Sequence, residues 1–414
     1  MGYSNGPGSD TPLVGRWFLF SVCFLGNVLA GQVSTLMSVY LPTVLDSLLD
    51  TPLEETSVIT IGTYINTVYL LGWTIGGFFC GLLADAIGRV RSFALSLGLL
   101  GLFTLLISFV NTWELILVHR FFAGLGAGGI MVISVTLLSE VWPKDTRNII
   151  IGIVSIGFPI GIFSSGMVNL LSDWREGFLL GAIPLVLAQI TLYGLRESEP
   201  WKKSKAAVSK ISNMGMVKQY GRELIHGTVL FGSMLIGLWA VLSWFPAWIQ
   251  SLVHQSDGQN ERGIAMMLFG LGGLIGGFSS GWISNALGIN RAMLLCFGGC
   301  TLMSGLLFGL NPAFSWAIYV ETALLALFFG ISQGVLAFYI PQLFPIAIRA
   351  GATGFCFNLG RIFTTIAVFS LGAMVEVLGS YGNALLVFSA VFILGFFKLL
   401  FGKGHKPQIG MSNE

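Results

Sequence analysis

A few ionisable side chains stand deep inside apolar stretches of this 414-residue sequence, among them His119, Arg120, Glu321 and Arg361. If such stretches cross a bilayer, each charge costs roughly 2.5–3.5 kcal/mol on insertion scales, so these groups turn to the protein interior and are functional candidates by default. Arg361 lies twelve residues beyond Arg349, about 18 Å along a helix rising about 1.5 Å per residue. That places it near the centre of a hydrocarbon core about 30 Å thick. There its guanidinium suits a carboxylate, which it can hold by two parallel hydrogen bonds; helix-end carbonyls are the competing use. Arg120 lies about two helical turns from Glu114, beside His119. His119 is either a proton site, since imidazole titrates near neutral pH, or a polar packing residue. Glu321 has no basic neighbour in its own stretch and reads as a protonatable group, a partner for Arg120 or Arg361, or an outer-edge residue.

These residues are set in a chain that is 54% hydrophobic and 10% charged, with 55 glycines. A soluble domain carries about 25% charge, so this composition excludes one and leaves an integral membrane protein. Polar punctuation divides the chain into twelve helical spans near 17–44, 58–84, 92–110, 114–139, 148–170 and 175–195, then 224–252, 263–286, 292–310, 315–341, 350–375 and 382–401. Three regions follow: a six-helix bundle over 1–195, a hydrophilic linker over 196–223 and a second six-helix bundle over 224–414.

Basic residues orient the spans. With both ends of the chain in the cytoplasm, Arg16, Arg89, Arg91, Lys144, Arg147, the linker cations, Arg291, Arg349, Lys398, Lys403 and Lys406 all fall inside, while the outer loops hold Arg175 and Arg262. The expected setting is the cell (inner) membrane. A net charge of +2 is too small for a nucleic-acid surface. All five cysteines lie in apolar stretches, against a disulfide framework or metal site. No Walker A sequence occurs, and neither paired acids nor a nucleophile with its base lie at matched depth, so no cofactor, no metal and no enzyme activity are expected.

The halves repeat one another. Gly76-Gly77-Phe78, Gly81, Ala86, Gly88 and Arg91 recur 200 positions on, as Gly276-Gly277-Phe278, Gly281, Ala286, Gly288 and Arg291. Trp142-Pro143 and Arg147 recur 202 positions on as Phe344-Pro345 and Arg349. Duplicated six-helix halves with a site at their interface are the plan of secondary transporters. Asp85, Arg89 and Arg91 would then sit at a helix end where a carboxylate can pair with arginines or a helix amino terminus as states exchange.

Gly81-Leu82-Leu83-Ala84-Asp85-Ala86-Ile87-Gly88-Arg89-Val90-Arg91 resembles the loop signature of the major facilitator superfamily, with Ala86 and Val90 replacing two of its basic positions. The run from Arg120 to Gly129 resembles the helix-four motif of that superfamily. Glu140-Val141-Trp142-Pro143-Lys144-Asp145-Thr146-Arg147 and Glu197-Ser198-Glu199-Pro200-Trp201 are similar to segments of its sugar-porter, organic-ion and aromatic-acid-symporter branches. Asn358-Leu359-Gly360-Arg361 resembles the Asn-x-Gly-Arg element of the organic-ion and aromatic-acid branches. The acid symporters carry an Asp pair in helix one, whereas this chain has Asn27, Gly31 and Gln32 ahead of Pro42, so the resemblance does not carry proton coupling to helix one.

The resemblance implies an all-α membrane protein of two pseudo-symmetric bundles whose helices one, four, seven and ten line a central cavity. That brings in Asn27, Gln32, Arg120, Trp239, Trp244 and Gln333 as solute contacts beside Arg361 and Asn358. Gating falls to Gly81, Asp85, Gly88, Arg89, Arg91, Glu140, Arg147 and Arg349, and, with no acid in helix one, proton coupling falls by position to Glu321, with His119 and Arg120 as the next candidates. The expected activity is secondary active transport of a small organic anion by alternating access, coupled to protons, by a monomer surrounded by membrane lipid. A uniporter or a porter of a neutral solute such as a sugar is the alternative; a receptor is the alternative from another class.

Overall fold

The computed structural model describes residues 13–49, 55–197, 213–253, 258–345 and 349–401. Among them are α1 (Leu13–Leu48), α2 (Glu55–Ile87), α3 (Arg89–Ile107), α4 (Trp113–Val141), α5 (Lys144–Leu171), α6 (Trp174–Leu179) and α7 (Ala182–Gly194). Then follow α8 (Asn213–Leu252), α9 (Gln259–Leu287), α10 (Ile289–Gly309), α11 (Trp316–Gln342), α12 (Arg349–Leu378), α13 (Tyr381–Ser389) and α14 (Val391–Phe401). Twelve spans in these residues are long and apolar enough to cross a membrane, with α6–α7 and α13–α14 each making one. In lipid every backbone polar group must be satisfied within the segment, which is why apolar stretches of this length are helical.

Two compact units divide the chain: Met1–Pro52 with Tyr64–Val208, and Leu53–Thr63 with Ser209–Glu414. In the first, α1 packs on α5 and α4, and α3 on α4 and α7. In the second, α9 packs on α11, α8 on α12, and α10 on α11.

The sequence repeat has a packing cause. An added Cβ at Gly72 or Gly76 would fall on the carbonyl oxygens of Phe121 and Leu125 in α4; at Gly272 or Gly276 it would fall on those of Ala323 and Leu327 in α11. The partner glycines answer in kind, Gly128 against the Trp73 carbonyl and Gly330 against that of Gly273. Each unit thus contains the same backbone-to-backbone helix crossing, which in lipid is held by close van der Waals packing of small residues. The tight turns after it are shared too: Gly88 has φ 117° and Gly288 φ 80°, a region that L side chains avoid.

Some boundaries differ from the hydropathy pattern. Helix α8 begins at Asn213, inside the expected linker, and passes a non-helical residue at Tyr220 (φ −119°, ψ 25°) before entering its span. Hydropathy marks where a helix meets lipid, not where it starts, so the polar first turns read as linker. Lys202, Lys203, Lys205 and Lys210 lie outside the described residues. The two basic residues expected in outer loops are local ties. Arg175 donates to the carbonyls of Ser108 and Val110 at 2.9 and 3.1 Å and covers the Trp174 ring at 4.3 Å. Buried Arg262 donates to Gln250.

Gly76→Ala and Gly276→Ala should each cost about 1–3 kcal/mol by overpacking. Gly98→Ala, where nothing lies within 4 Å, should be neutral or stabilise slightly through helix propensity. Melting of the three variants in detergent checks this; equal melting temperatures would contradict the close crossing.

Candidate functional site

The charged turn between α2 and α3 is built around Arg89. Its Nη2 lies 2.9 Å from Asp85 Oδ1, its Nε donates to Glu140 Oε1 of α4 at 3.0 Å, and its Nη1 donates to the Ala84 carbonyl at 3.0 Å. Arg89 and Glu140 are largely buried, whereas the Asp85 side chain is 71% exposed. Helix α3 starts one residue after positive-φ Gly88, and Glu197 caps it: its two carboxylate oxygens accept from the backbone N–H groups of Val90 and Arg91, both at 3.2 Å. A carboxylate at a helix amino terminus satisfies orphan donors and meets the positive end of the helix dipole. The Arg91 side chain is exposed, and Arg147 donates to the Trp142 carbonyl from Nε and Nη2 at 3.3 and 3.2 Å. Gly81 meets only Val132 at ordinary contact distance. Arg349 opens α12, and its side chain lies outside the described residues.

Arg120 is sheathed within the first unit. Its Nη1 donates to the Val33 carbonyl at 3.0 Å, its Nη2 approaches the Ser34 carbonyl at 3.5 Å, and the guanidinium carbon stands 3.7 Å from the centre of the Tyr69 ring. Ser34 Oγ donates to the Ala30 carbonyl at 2.5 Å, so the Tyr69 hydroxyl is the donor in the 2.6 Å bond between them. No carboxylate stands within ion-pair distance of Arg120 among the described residues; carbonyl dipoles and an aromatic face meet its charge instead. Sequence reasoning missed Tyr69 and Ser34, because neither carries a signal until α2 and α1 are brought onto α4. His119 faces the other way, against Phe103 with ring centres 5.9 Å apart, and its Nδ1 lies 2.5 Å from the Leu115 carbonyl.

Two helix-one candidates are likewise engaged. Asn27 Nδ2 donates to Ser134 Oγ of α4 at 3.0 Å and to the Cys23 carbonyl at 2.9 Å. Gln32 Nε2 donates to Ser164 Oγ of α5 at 2.9 Å.

The second unit leaves donors unspent. Half-exposed Arg361 has one long hydrogen bond, Nη1 to Asn358 Oδ1 at 3.5 Å, and no carboxylate at ion-pair distance among the described residues. Gln333 Nε2 on α11 and Trp244 Nε1 on α8 are buried without an acceptor among those residues. Trp244 is 1% exposed, its ring 5.6 Å from that of Tyr381, and Trp239 is also buried. Helices α8, α11 and α12, which carry these groups, pack on one another. Glu321 is tethered locally: its Oε2 accepts from Asn311 Nδ2 at 2.7 Å, and the same amide reaches the carbonyls of Leu306 and Leu307.

Twelve spans long and apolar enough to cross a membrane, with the same close helix crossing in each unit, are the plan of a duplicated multi-pass membrane protein. The Major Facilitator Superfamily model matches residues 22–367, and the chain belongs to that family of transporters. It is 28% identical over 364 residues to the cis,cis-muconate transport protein of Acinetobacter baylyi, covering 83% of this chain and 86% of that protein. It is 23% identical over 390 residues to the 4-hydroxybenzoate transporter PcaK of Pseudomonas aeruginosa, covering 84% and 83%. Among solved structures, the inward-open xylose transporter XylE of E. coli superposes with a TM-score of 0.75 at 15% identity, over 95% of this chain and 98% of that one.

Arg89→Ala removes the bonds to Glu140, Asp85 and the Ala84 carbonyl and should cost roughly 1–3 kcal/mol, the range for losing a mostly buried hydrogen bond between charged groups. Asp85→Asn, at the exposed arm of the same cluster, should barely change melting. Thermal unfolding in detergent separates the two; a larger loss for Asp85→Asn would contradict the arrangement.

Proposed function

We propose that this transporter moves a small organic anion bearing a carboxylate by alternating access, driven by protons, with Arg361 as the anion anchor. One observation carries the reading: a half-buried mid-span arginine whose sole side-chain hydrogen bond among the described residues is a long one to Asn358. A cation in a bilayer needs an answering group, and a solute carboxylate supplies it with two parallel hydrogen bonds. Asn358, Gln333 and Trp244 are the further solute contacts of this reading, with their donors available. Arg120, Asn27 and Gln32 are already bonded within the first unit and serve to shape it. Muconate and 4-hydroxybenzoate, the solutes named for two relatives, are carboxylates. Likeness to the xylose transporter at this identity concerns the fold and assigns no solute.

The distribution of basic residues supports both ends of the chain in the cytoplasm and a place in the cell's inner membrane, and the reading takes the protein as a monomer in lipid. Asp85, Arg89 and Glu140 belong to the gating step, with Glu321 and His119 as candidate proton sites.

Counterflow in proteoliposomes with cis,cis-muconate, 4-hydroxybenzoate and xylose tests the assignment. The acids should exchange and xylose should not. Arg361→Lys, which keeps the charge and loses the fork, should weaken acid binding by about tenfold, and Arg361→Ala by more, in line with about 1.5–3 kcal/mol for a hydrogen bond to a charged group. Exchange of xylose but not the acids, or normal acid binding by both variants, would overturn it.

A further inference from the structure

A buried histidine outside every motif pairs helices α8 and α11. His226 Nε2 lies 2.9 Å from the Tyr339 hydroxyl, with ring centres 5.9 Å apart at 64°. Both residues are buried, at 8% and 3% exposure, and the Tyr339 hydroxyl has no second hydrogen-bond partner among the described residues. Their bond depends on the proton count. A neutral imidazole nitrogen can accept the tyrosine proton, whereas in imidazolium both ring nitrogens are donors, so Tyr339 must become the acceptor. In the tautomer whose Nε2 accepts from Tyr339, protonation reverses the polarity of the link between the two helices.

The register along α8 relates this pair to the anion site. Cys356 of α12 lies against the start of the α8 span, its Sγ 3.5 Å from the Leu224 carbonyl, and Gly360 lies against Phe231 and Gly232. Arg361 is thus level with about residue 232 of α8, six residues or about 9 Å beyond His226. Ionisable groups near His226 include Arg222 and Glu223 about one turn back on α8, Tyr339 on α11 and Cys356 on α12. The last span contributes exposed Lys398, and α9 keeps Glu261 and Arg262 towards the Gln250 end of α8, away from His226.

We propose that His226 is a proton-binding site of the carrier, coupled to occupation of Arg361 by the anion and read out through Tyr339. The proposal rests on the carboxylate reading of Arg361. Two positive charges carried on helices whose levels differ by about 9 Å along the α8 axis disfavour one another in a medium of low dielectric. An anion on Arg361 removes that repulsion, so the proton and the solute favour each other's binding, and the linkage is reciprocal. An empty carrier then holds neither and a loaded one holds both, which is the requirement for symport.

The test uses purified protein in detergent and in proteoliposomes. Adding pH-matched cis,cis-muconate or 4-hydroxybenzoate to lightly buffered protein should draw protons from solution, followed with a pH-sensitive dye. His226→Gln should abolish that uptake, make counterflow of the acid insensitive to pH, and cut accumulation under an inward proton gradient by about tenfold or more, within the usual range of coupling factors. Tyr339→Phe, which keeps the ring and removes the hydroxyl, should shift the pH profile of accumulation while sparing counterflow, and it serves equally if His226→Gln fails to fold. Wild-type proton uptake and accumulation in a folded His226→Gln would overturn the proposal alone, as would an unshifted profile in Tyr339→Phe or loss of coupling in Glu321→Gln but not in His226→Gln. A wild-type protein that exchanges neither acid would overturn the carboxylate reading, and this proposal with it.

Discussion

The cost of holding a cation in a medium that cannot solvate it organises the functional parts of this protein. Three arginines show three ways of meeting that cost. Arg89, at the end of a span, has two carboxylates and a carbonyl. Arg120, inside the first unit, has two backbone carbonyls and the face of Tyr69. Arg361 has one distant amide oxygen. The first two are tied by several bonds to neighbouring helices, with only the Arg120 Nε unspent, whereas the third has a single long bond among the described residues, which is why the proposal gives it the anion. That difference, rather than the presence of arginine, separates the structural cations from the proposed binding one.

The same medium explains the glycines. Lipid gives no hydrophobic reward for joining helices, so association relies on close packing, and α2–α4 and α9–α11 meet where only a hydrogen fits. Crossings at that distance make each unit stiff. A carrier that works by rocking needs such stiffness within each unit, because a soft bundle would absorb the motion that must reach the gate.

Buried polar side chains of both kinds, bonded and with an atom unspent, occur in each unit. In the first, Asn27, Gln32 and the Ser34–Tyr69–Arg120 group bond to one another's helices. In the second, Gln333, Trp244 and Arg361 keep unspent donors, while the His226–Tyr339 bond joins α8 to α11. Unmade hydrogen bonds in a buried setting are costly, and a ligand that completes them gains correspondingly.

Much of the architecture was legible because hydropathy and repetition are local properties. Span count follows from apolar run length, and the glycines spaced alike in both halves mark the repeat, whose close crossings and positive-φ turns at Gly88 and Gly288 the structure supplies. Where α8 begins was not legible, since a helix can leave the lipid and continue in polar sequence. The charged turn was half legible: Asp85 and Arg89 are four apart on adjoining helix ends, but Glu140 and Glu197 join them only through folding. Arg120 and Arg361 look alike in sequence, each a lone cation in an apolar run near glycines. The sequence by itself determined that both charges lie within the membrane, because that depends on distance along one helix. Only the tertiary structure decided that Tyr69 and the α1 carbonyls enclose Arg120 while Arg361 stays open, and that His226 meets Tyr339, because which groups face one another is set by the rotation and register of packed helices.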